Sequence, residues 1–324
     1  MCAALRPHIA GHFQDLLVEA VTHPLMVQYL DQQRSSGPNA PMTLARPARR
    51  GMNENLAREI LELHTLGVDG PYTQTDVREL AELLTGLTFD ARNGRKFAKG
   101  MAEPGSEQIL GRTYGGTGNA HFRDIEAALR DIANHPAVGA HMARKLAVHF
   151  LSDTPDPDLV RDVAAAWRES DGHLPTVYAA LLAHPAAWDS ARRNVKPPFH
   201  FVASACRALD VPDMALAGLS EKDIRTRIQE PLRLMGHIWQ KPDGPDGLPE
   251  DDAAWITPQG MASRLQWAVT MPQLMMPALP DPRQFVTSAL GRHVPESVRF
   301  AAEAAESVAD GVGLVLTSPA FQKV

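Results

Sequence analysis

The chain is poor in cysteine. Its 324 residues include two, Cys2 and Cys206, too few for a disulfide framework and in no Cys-x-x-Cys pair, so a stapled fold is not expected. It has no excess of positive charge either. Thirty-two Lys and Arg against 38 Asp and Glu leave a formal net charge of -6, which argues against generic binding to nucleic acid. Long hydrophobic runs are missing, and a stretch such as "VGLVL" near the end is far too short to span a bilayer. The N-terminus, "MCAALRPHIAGHF", has no apolar core with a cleavage-site pattern and is not a signal peptide as it stands. Alternating β-branched runs are nearly absent. So are several catalytic signatures: there is no Gly-x-Ser-x-Gly elbow and no His-Glu-x-x-His. "DGPYTQTD" has the wrong oxygen spacing for a calcium loop. "GRTYGGTGNA" lacks both the Gly-Lys-Ser/Thr ending and the preceding strand of a phosphate loop.

What is present is an ordinary globular composition, 44% hydrophobic and 22% charged, with ample length for a core. The periodicity predicts a mostly α, multi-helix domain over 1–324. Helical spacing runs through 12–31, 54–66 and the segment after Thr73, then through about 122–134, 137–151, 157–169, 174–183 and 198–209. It resumes over 213–239 and "TPQGMASRLQWAVTM", and over 282–291, 295–309 and 312–317. Thr73 with Asp76 three residues later is close to a capping box, and Val77, Leu80, Leu83 and Leu84 form the buried stripe behind it. Two stretches break the rhythm. Residues 90–121 are Gly-rich and aperiodic, so a loop or small β-hairpin excursion is expected around 88–121. Residues 240–254 form a Pro/Gly/Asp loop. A local theme recurs in which His23, His135, His184 and Ser318 each precede a proline. Proline suits the first helical position, because its φ is fixed and its missing N–H has no partner to lose there. These histidines therefore read as turn or cap residues rather than metal ligands.

The densest polar constellation is "MNENLAREILELHTLG", Met52 to Gly67. At about 100° per residue, Glu54, Arg58, Glu62, Asn55 and Glu59 share one face, opposite Leu56, Ile60 and Leu63. His64 falls on the apolar side. A metal site made by this helix alone is sterically poor, because ligands on one helix need i, i+3 or i, i+4 spacing, and none is assigned. Two readings of this face stay open. Glu54, Arg58 and Glu62 have the spacing of an i, i+4 ion ladder, at about 0.2–0.5 kcal/mol per pair. Alternatively Glu59 or Glu62 serves as general acid/base with Arg58 as electrostatic partner and His64 as orienter or proton carrier. Arg144 in "ARKLAVHF" and Lys196 in "NVKPPFHF" are further candidate anion anchors, with His149 and His200 beside them; each also reads as a helix with snorkelling bases.

The string "NENLAREILELHTLGVDGPYTQTDVRELAELLTG" closely resembles the signature of a large bacterial family, domain of unknown function 1800. "HPAVGAHMARKLAVHFLSD", "VYAALLAHPAAWD", "KPPFHFVASACRAL", "DDAAWITPQGMASRLQWA" and "GLVLTSPAFQ" agree with it, so the resemblance covers essentially the whole chain. It implies that the chain corresponds to the C-terminal two-thirds of a family member, truncated before "RPHIAGHFQDLL", with a leader peptide lost on the way. The family loop reads His-Asp-x-Gly where this chain has Ala102-Glu103-Pro104-Gly105, and Leu248 stands where relatives often have Trp. The resemblance raises the functional weight of this face, with Asn53, Asn55 and Glu59 beside the Glu54–Arg58–Glu62 ladder, but supplies no activity and no cofactor. It also implies a partner, since members often accompany a sulfatase-like exported family. A hydrolase-type enzyme and a non-catalytic scaffold for such a partner are the two functions to separate.

Overall fold

A computed structural model of the chain describes residues 2–46, 51–90, 92, 94–117, 121–189, 194–242, 244–292 and 294–323. The protein is mostly helical, with two small two-stranded antiparallel sheets. The chain divides into two compact units, Met1–Ala147 with Pro155–Trp188, and Val148–Thr154 with Asp189–Val324.

In the first unit, helix α1 (Phe13–Thr22) buries Phe13, Leu17, Val18 and Val21 on one stripe. Helix α2 begins as Asn55–Arg58 and passes directly into a π-helical run, Glu59–Thr65. Helix α3 (Gln74–Leu83) starts at the expected capping box: the Thr73 hydroxyl accepts from the Asp76 N–H at 3.2 Å, and the Asp76 carboxylate accepts from the Thr73 N–H at 2.8 Å. Val77, Leu80, Leu83 and Leu84 are all buried.

The excursion around 88–121 is two hairpins. Strands β1 (Leu87–Asp90) and β2 (Gly94–Phe97) pair with Leu87 opposite Phe97. Strands β3 (Ser106–Ile109) and β4 (Arg112–Gly115) pair with Glu107 opposite Tyr114. Residues 91, 93 and 118–120 of the expected excursion lie outside the described residues. Helices α4 (Phe122–Ala133), α5 (Pro136–Phe150), α6 (Pro157–Glu169) and α7 (Leu174–Ala183) follow at the predicted places. Trp167 packs edge-on to Phe13 at 5.0 Å. It also fills the space over Gly139, where a Cβ would come within 2.9 Å of its ring.

The His-Pro theme has the structure expected of caps. The ring Nδ1 of His23, His135 and His184 accepts the backbone N–H two residues on, from Leu25, Ala137 and Ala186, at 3.2 Å in each case. The Ser318 hydroxyl accepts the N–H three residues on, from Phe321, at 3.3 Å. Accepting at Nδ1 places the ring proton of each neutral histidine on Nε2.

The second unit is built around α8 (Pro198–Ala208), α9 (Pro258–Thr270), α10 (Pro282–Leu290), α11 (Glu296–Glu303) and α12 (Val308–Thr317). Phe201, Trp267, Phe285, Val315, Leu316 and Phe321 form the centre of its core. Two expected helices are shorter than their periodicity suggests. The 213–239 pattern is split into Asp213–Ala217, Glu221–Ile224 with a π-helical Arg225–Gln229, and Glu230–Leu234. Ser220 starts a new helix there by accepting the Asp223 N–H at 3.1 Å. The 295–309 pattern stops at Glu303, because Ser307 caps α12 by accepting the Asp310 N–H at 3.1 Å. Side-chain caps end these runs where apolar spacing alone would continue them. The Pro/Gly/Asp loop ends in a short turn, Asp252–Ala254, that delivers Trp255 into a buried position.

Candidate functional site

The Met52–Gly67 face is built from the N-terminal end of α2 outward. Asn53 caps and anchors it: its Oδ1 accepts the Asn55 N–H at 2.9 Å, its amide nitrogen donates to the Leu30 carbonyl at 2.8 Å, and its own N–H donates to the Ser35 hydroxyl at 3.0 Å. Its hydrogen bonds join the start of α2 to the segment at 30–35. The ladder forms as its spacing requires. Arg58 donates from Nη2 to Glu54 at 3.0 Å and from Nη1 to Glu62 at 3.3 Å. The same Nη2 donates to Gln74 at 2.9 Å, and Gln74 donates to Glu54 at 3.2 Å, so the network crosses to the first turn of α3. The side chains of Arg58, Glu54 and Glu62 are 39%, 31% and 28% exposed, neither fully solvated nor sealed in the core. Asn55 is exposed and Glu59 half-buried.

The π-helical run changes the far end. An extra residue in each turn lowers the angle between successive side chains, so the α-helical wheel no longer holds beyond Arg58. Leu63, expected on the buried wall, is only half-buried, whereas Ile60, Leu61 and Thr65 are buried. Thr65 donates to the Ile60 carbonyl at 2.6 Å, five residues back. His64 does lie toward the interior, as expected, and its Nδ1 is buried and has no hydrogen bond. Burial alone holds its pKa below the ordinary 6.5. Gly67 closes the run at φ 91°, with the His141 ring against it.

The other candidates stand on other segments of the chain. Arg144 is exposed on α5. Lys196 belongs to the second unit, where its ammonium sits 4.0 Å from the centre of the Phe321 ring. His149 and His200 are exposed. Among the described residues, no group of three or more His, Cys, Asp or Glu is placed to hold a metal ion.

One strongly perturbed carboxylate of the first unit was not among the candidates. Strand β3 alternates exposed and buried positions, and its inward residues are Glu107 and Ile109. Glu107 is 4% exposed. Burial, then the carboxylates of Glu82, Glu79 and Glu103, push its pKa up to about 7. Glu82 is raised as well, by burial and by Glu79. Glu103 is buried but well supplied with donors: the Asn39 N–H and side-chain amide at 2.9 and 2.6 Å. The signal in the sequence was period-two alternation in "SEQI", readable only once the segment is known to be a strand.

Two cavities stand out, one in each unit. In the first, about 290 Å³ is enclosed by the β3–β4 turn and the end of α4, and includes Arg112, Tyr114, Asp131 and His135. Asp131 there accepts from Tyr114 at 2.9 Å and Arg112 at 2.7 Å. In the second, a groove of about 550 Å³ runs along α8, floored by Val202, Cys206 and Ile228, with Arg207, Asp210 and Asp213 at its rim.

The two hairpins set into a helical array, and a Glu/Arg ladder at the head of a helix that turns π-helical, match no catalytic constellation with a defined reaction. Residues 2–323 match the family described as protein of unknown function DUF1800, and the chain belongs to that family. No curated protein and no solved structure matches it.

Proposed function

We propose that this chain is a non-catalytic helical scaffold, and that the Asn53–Glu62 face is part of its framework. One observation carries this reading: the Arg58 guanidinium is occupied by Glu54, Glu62 and Gln74 together. That arrangement spends the polar face on joining α2 to α3 rather than presenting it to a substrate. The partner this reading takes, from the family resemblance, is a sulfatase-like protein. Co-expression with a sulfatase-like protein encoded beside a family member, followed by size-exclusion chromatography and calorimetry, is expected to give a stoichiometric complex. No complex, together with hydrolysis of an ester, sulfate-ester or glycoside substrate that Glu59→Gln abolishes, would overturn the scaffold.

A second reading is a hydrolase with Glu59 or Glu62 as general acid/base, Arg58 as electrostatic partner and His64 as orienter. Two features favour it. π-Helical turns recur at functional sites, and His64 keeps a buried ring nitrogen without a partner. Its test is the same substrate panel with His64→Ala added: loss of turnover in both His64→Ala and Glu59→Gln supports it, and the absence of any turnover sinks it.

A further inference from the structure

The β3–β4 hairpin docks on α3 through carboxylates. Glu79 accepts the Gln108 N–H at 3.0 Å, and Asp76 accepts the Leu110 N–H at 2.7 Å. Immediately before these two anchors the inward side chain is Glu107, an acid where the strand pattern calls for an apolar residue. Its carboxylate accepts from its own backbone N–H, which opposes the shift, and from no other described residue. The carboxylates that face it are Glu79 and Glu82 from α3 and Glu103 from the preceding turn; Tyr114 stands opposite it on β4, and the basic residues of these elements are Arg78 and Arg112. The cations among them are already engaged, Arg78 with Glu82 at 3.6 Å and Arg112 with Asp131 at 2.7 Å. A buried, unpaired carboxylate beside three others is tolerated when it is neutral and resisted when it is charged.

We propose that the β3–β4 hairpin is a proton-controlled flap, held on α3 while Glu107 is protonated and loosened when Glu107 ionises against Glu79, Glu82 and Glu103. The hairpin also supplies Leu110, Arg112 and Tyr114 to the cavity beside Asp131 and His135, so loosening it dismantles that cavity. The direction follows from linkage. Closed, Glu107 titrates at about 7; free in solvent it returns to 4.5. The closed flap binds the proton more tightly, so closure is favoured at low pH. The advantage is lost as pH rises from 4.5 to about 7 and stays lost above that.

Hydrogen exchange of the β3–β4 amides in the full chain, corrected for the intrinsic pH dependence of exchange, tests this. The opening constant is expected to rise by up to about tenfold per pH unit across that window and then level off. Amides of α9 in the second unit serve as the control and show no such rise. Glu107→Gln, a neutral mimic of the protonated acid, is expected to remove the slope. Glu82→Gln keeps the titrating group and removes a facing carboxylate, so the levelling-off moves to lower pH. A wild-type slope no steeper than that of Glu107→Gln overturns the proposal. If Glu107→Gln does not fold, a levelling-off unmoved by Glu82→Gln overturns it instead.

Discussion

Arg264 and Gln322 meet inside the core of the second unit, the guanidinium Nη1 donating to the amide oxygen at 2.8 Å. Arg264 is 0% exposed and forms no ion pair among the described residues. Its Nη2 donates to the Lys196 carbonyl at 2.7 Å, and its plane lies 5.4 Å over the Phe201 ring. Burial depresses its pKa to about 10, so it keeps its charge at neutral pH. The side chain therefore ties the last helical turn to the 195–197 segment, alongside the Lys196 N–H to Gln322 carbonyl bond at 2.8 Å. Gln322→Ala is expected to cost about 1–3 kcal/mol, because it leaves a buried cation short of an acceptor. The double variant Arg264→Met/Gln322→Leu, with both polar partners removed, is expected to be less destabilised than the sum of the two single variants. Urea unfolding of the four proteins gives the coupling; strict additivity would mean the pair does not act together.

The Arg58 network is half-exposed, and its stability contribution is correspondingly small. Each i, i+4 pair is expected to give about 0.3–0.5 kcal/mol. Arg58→Met should therefore cost about 1 kcal/mol with the Gln74 contact included, and less at high salt. A cost of several kcal/mol, insensitive to salt, would place the guanidinium in a far drier environment than its exposure indicates. A double-mutant cycle with Gln74→Ala separates the cross-helix contact from the ladder.

Much of the helical frame was legible because its punctuation is local. Pro157 and Leu174-Pro175 open helices whose ends, Glu169 and Ala183, fall where the periodicity ends. Thr73–Asp76 forms the capping box that its side chains dictate. The Glu54–Arg58–Glu62 ladder was legible for the same reason. The π-helical turn was not, since a wheel drawn at about 100° per residue presupposes the α-helix it is meant to test. Glu107 was missed because its neighbours Glu79, Glu82 and Glu103 come from two other segments, and only the hairpin brings them together. The breaks after Ala217 and Glu303 were missed because a single serine cap outweighs several residues of favourable spacing.

His64 makes the first unit sensitive to acid. Burial lowers its folded pKa below the ordinary 6.5, so the unfolded chain takes up the proton first. Stability from this group is fully present above 6.5 and falls as pH drops through that value toward the folded pKa. His64→Leu, apolar and unable to titrate, is expected to flatten that part of the stability curve. Thermal unfolding in buffers from about pH 7 down to about pH 5 measures it. An unchanged curve in the variant would show that His64 is not the group responsible.

Gly67 is held by two separate constraints, and a pair of variants separates them. Its φ of 91° lies in the left-handed region, and an added Cβ would fall 2.8 Å from Nδ1 of His141. The backbone term alone is expected to cost about 1–2 kcal/mol in Gly67→Ala, and the clash with the imidazole adds to it. His141→Ala removes the ring but leaves the dihedral. Gly67→Ala introduced into the His141→Ala background is therefore expected to cost less than in wild type, yet remain destabilising by the backbone amount. Chemical denaturation of the two pairs reads both terms. If the cost is the same in both backgrounds, the imidazole yields freely and the glycine is required for its backbone conformation alone.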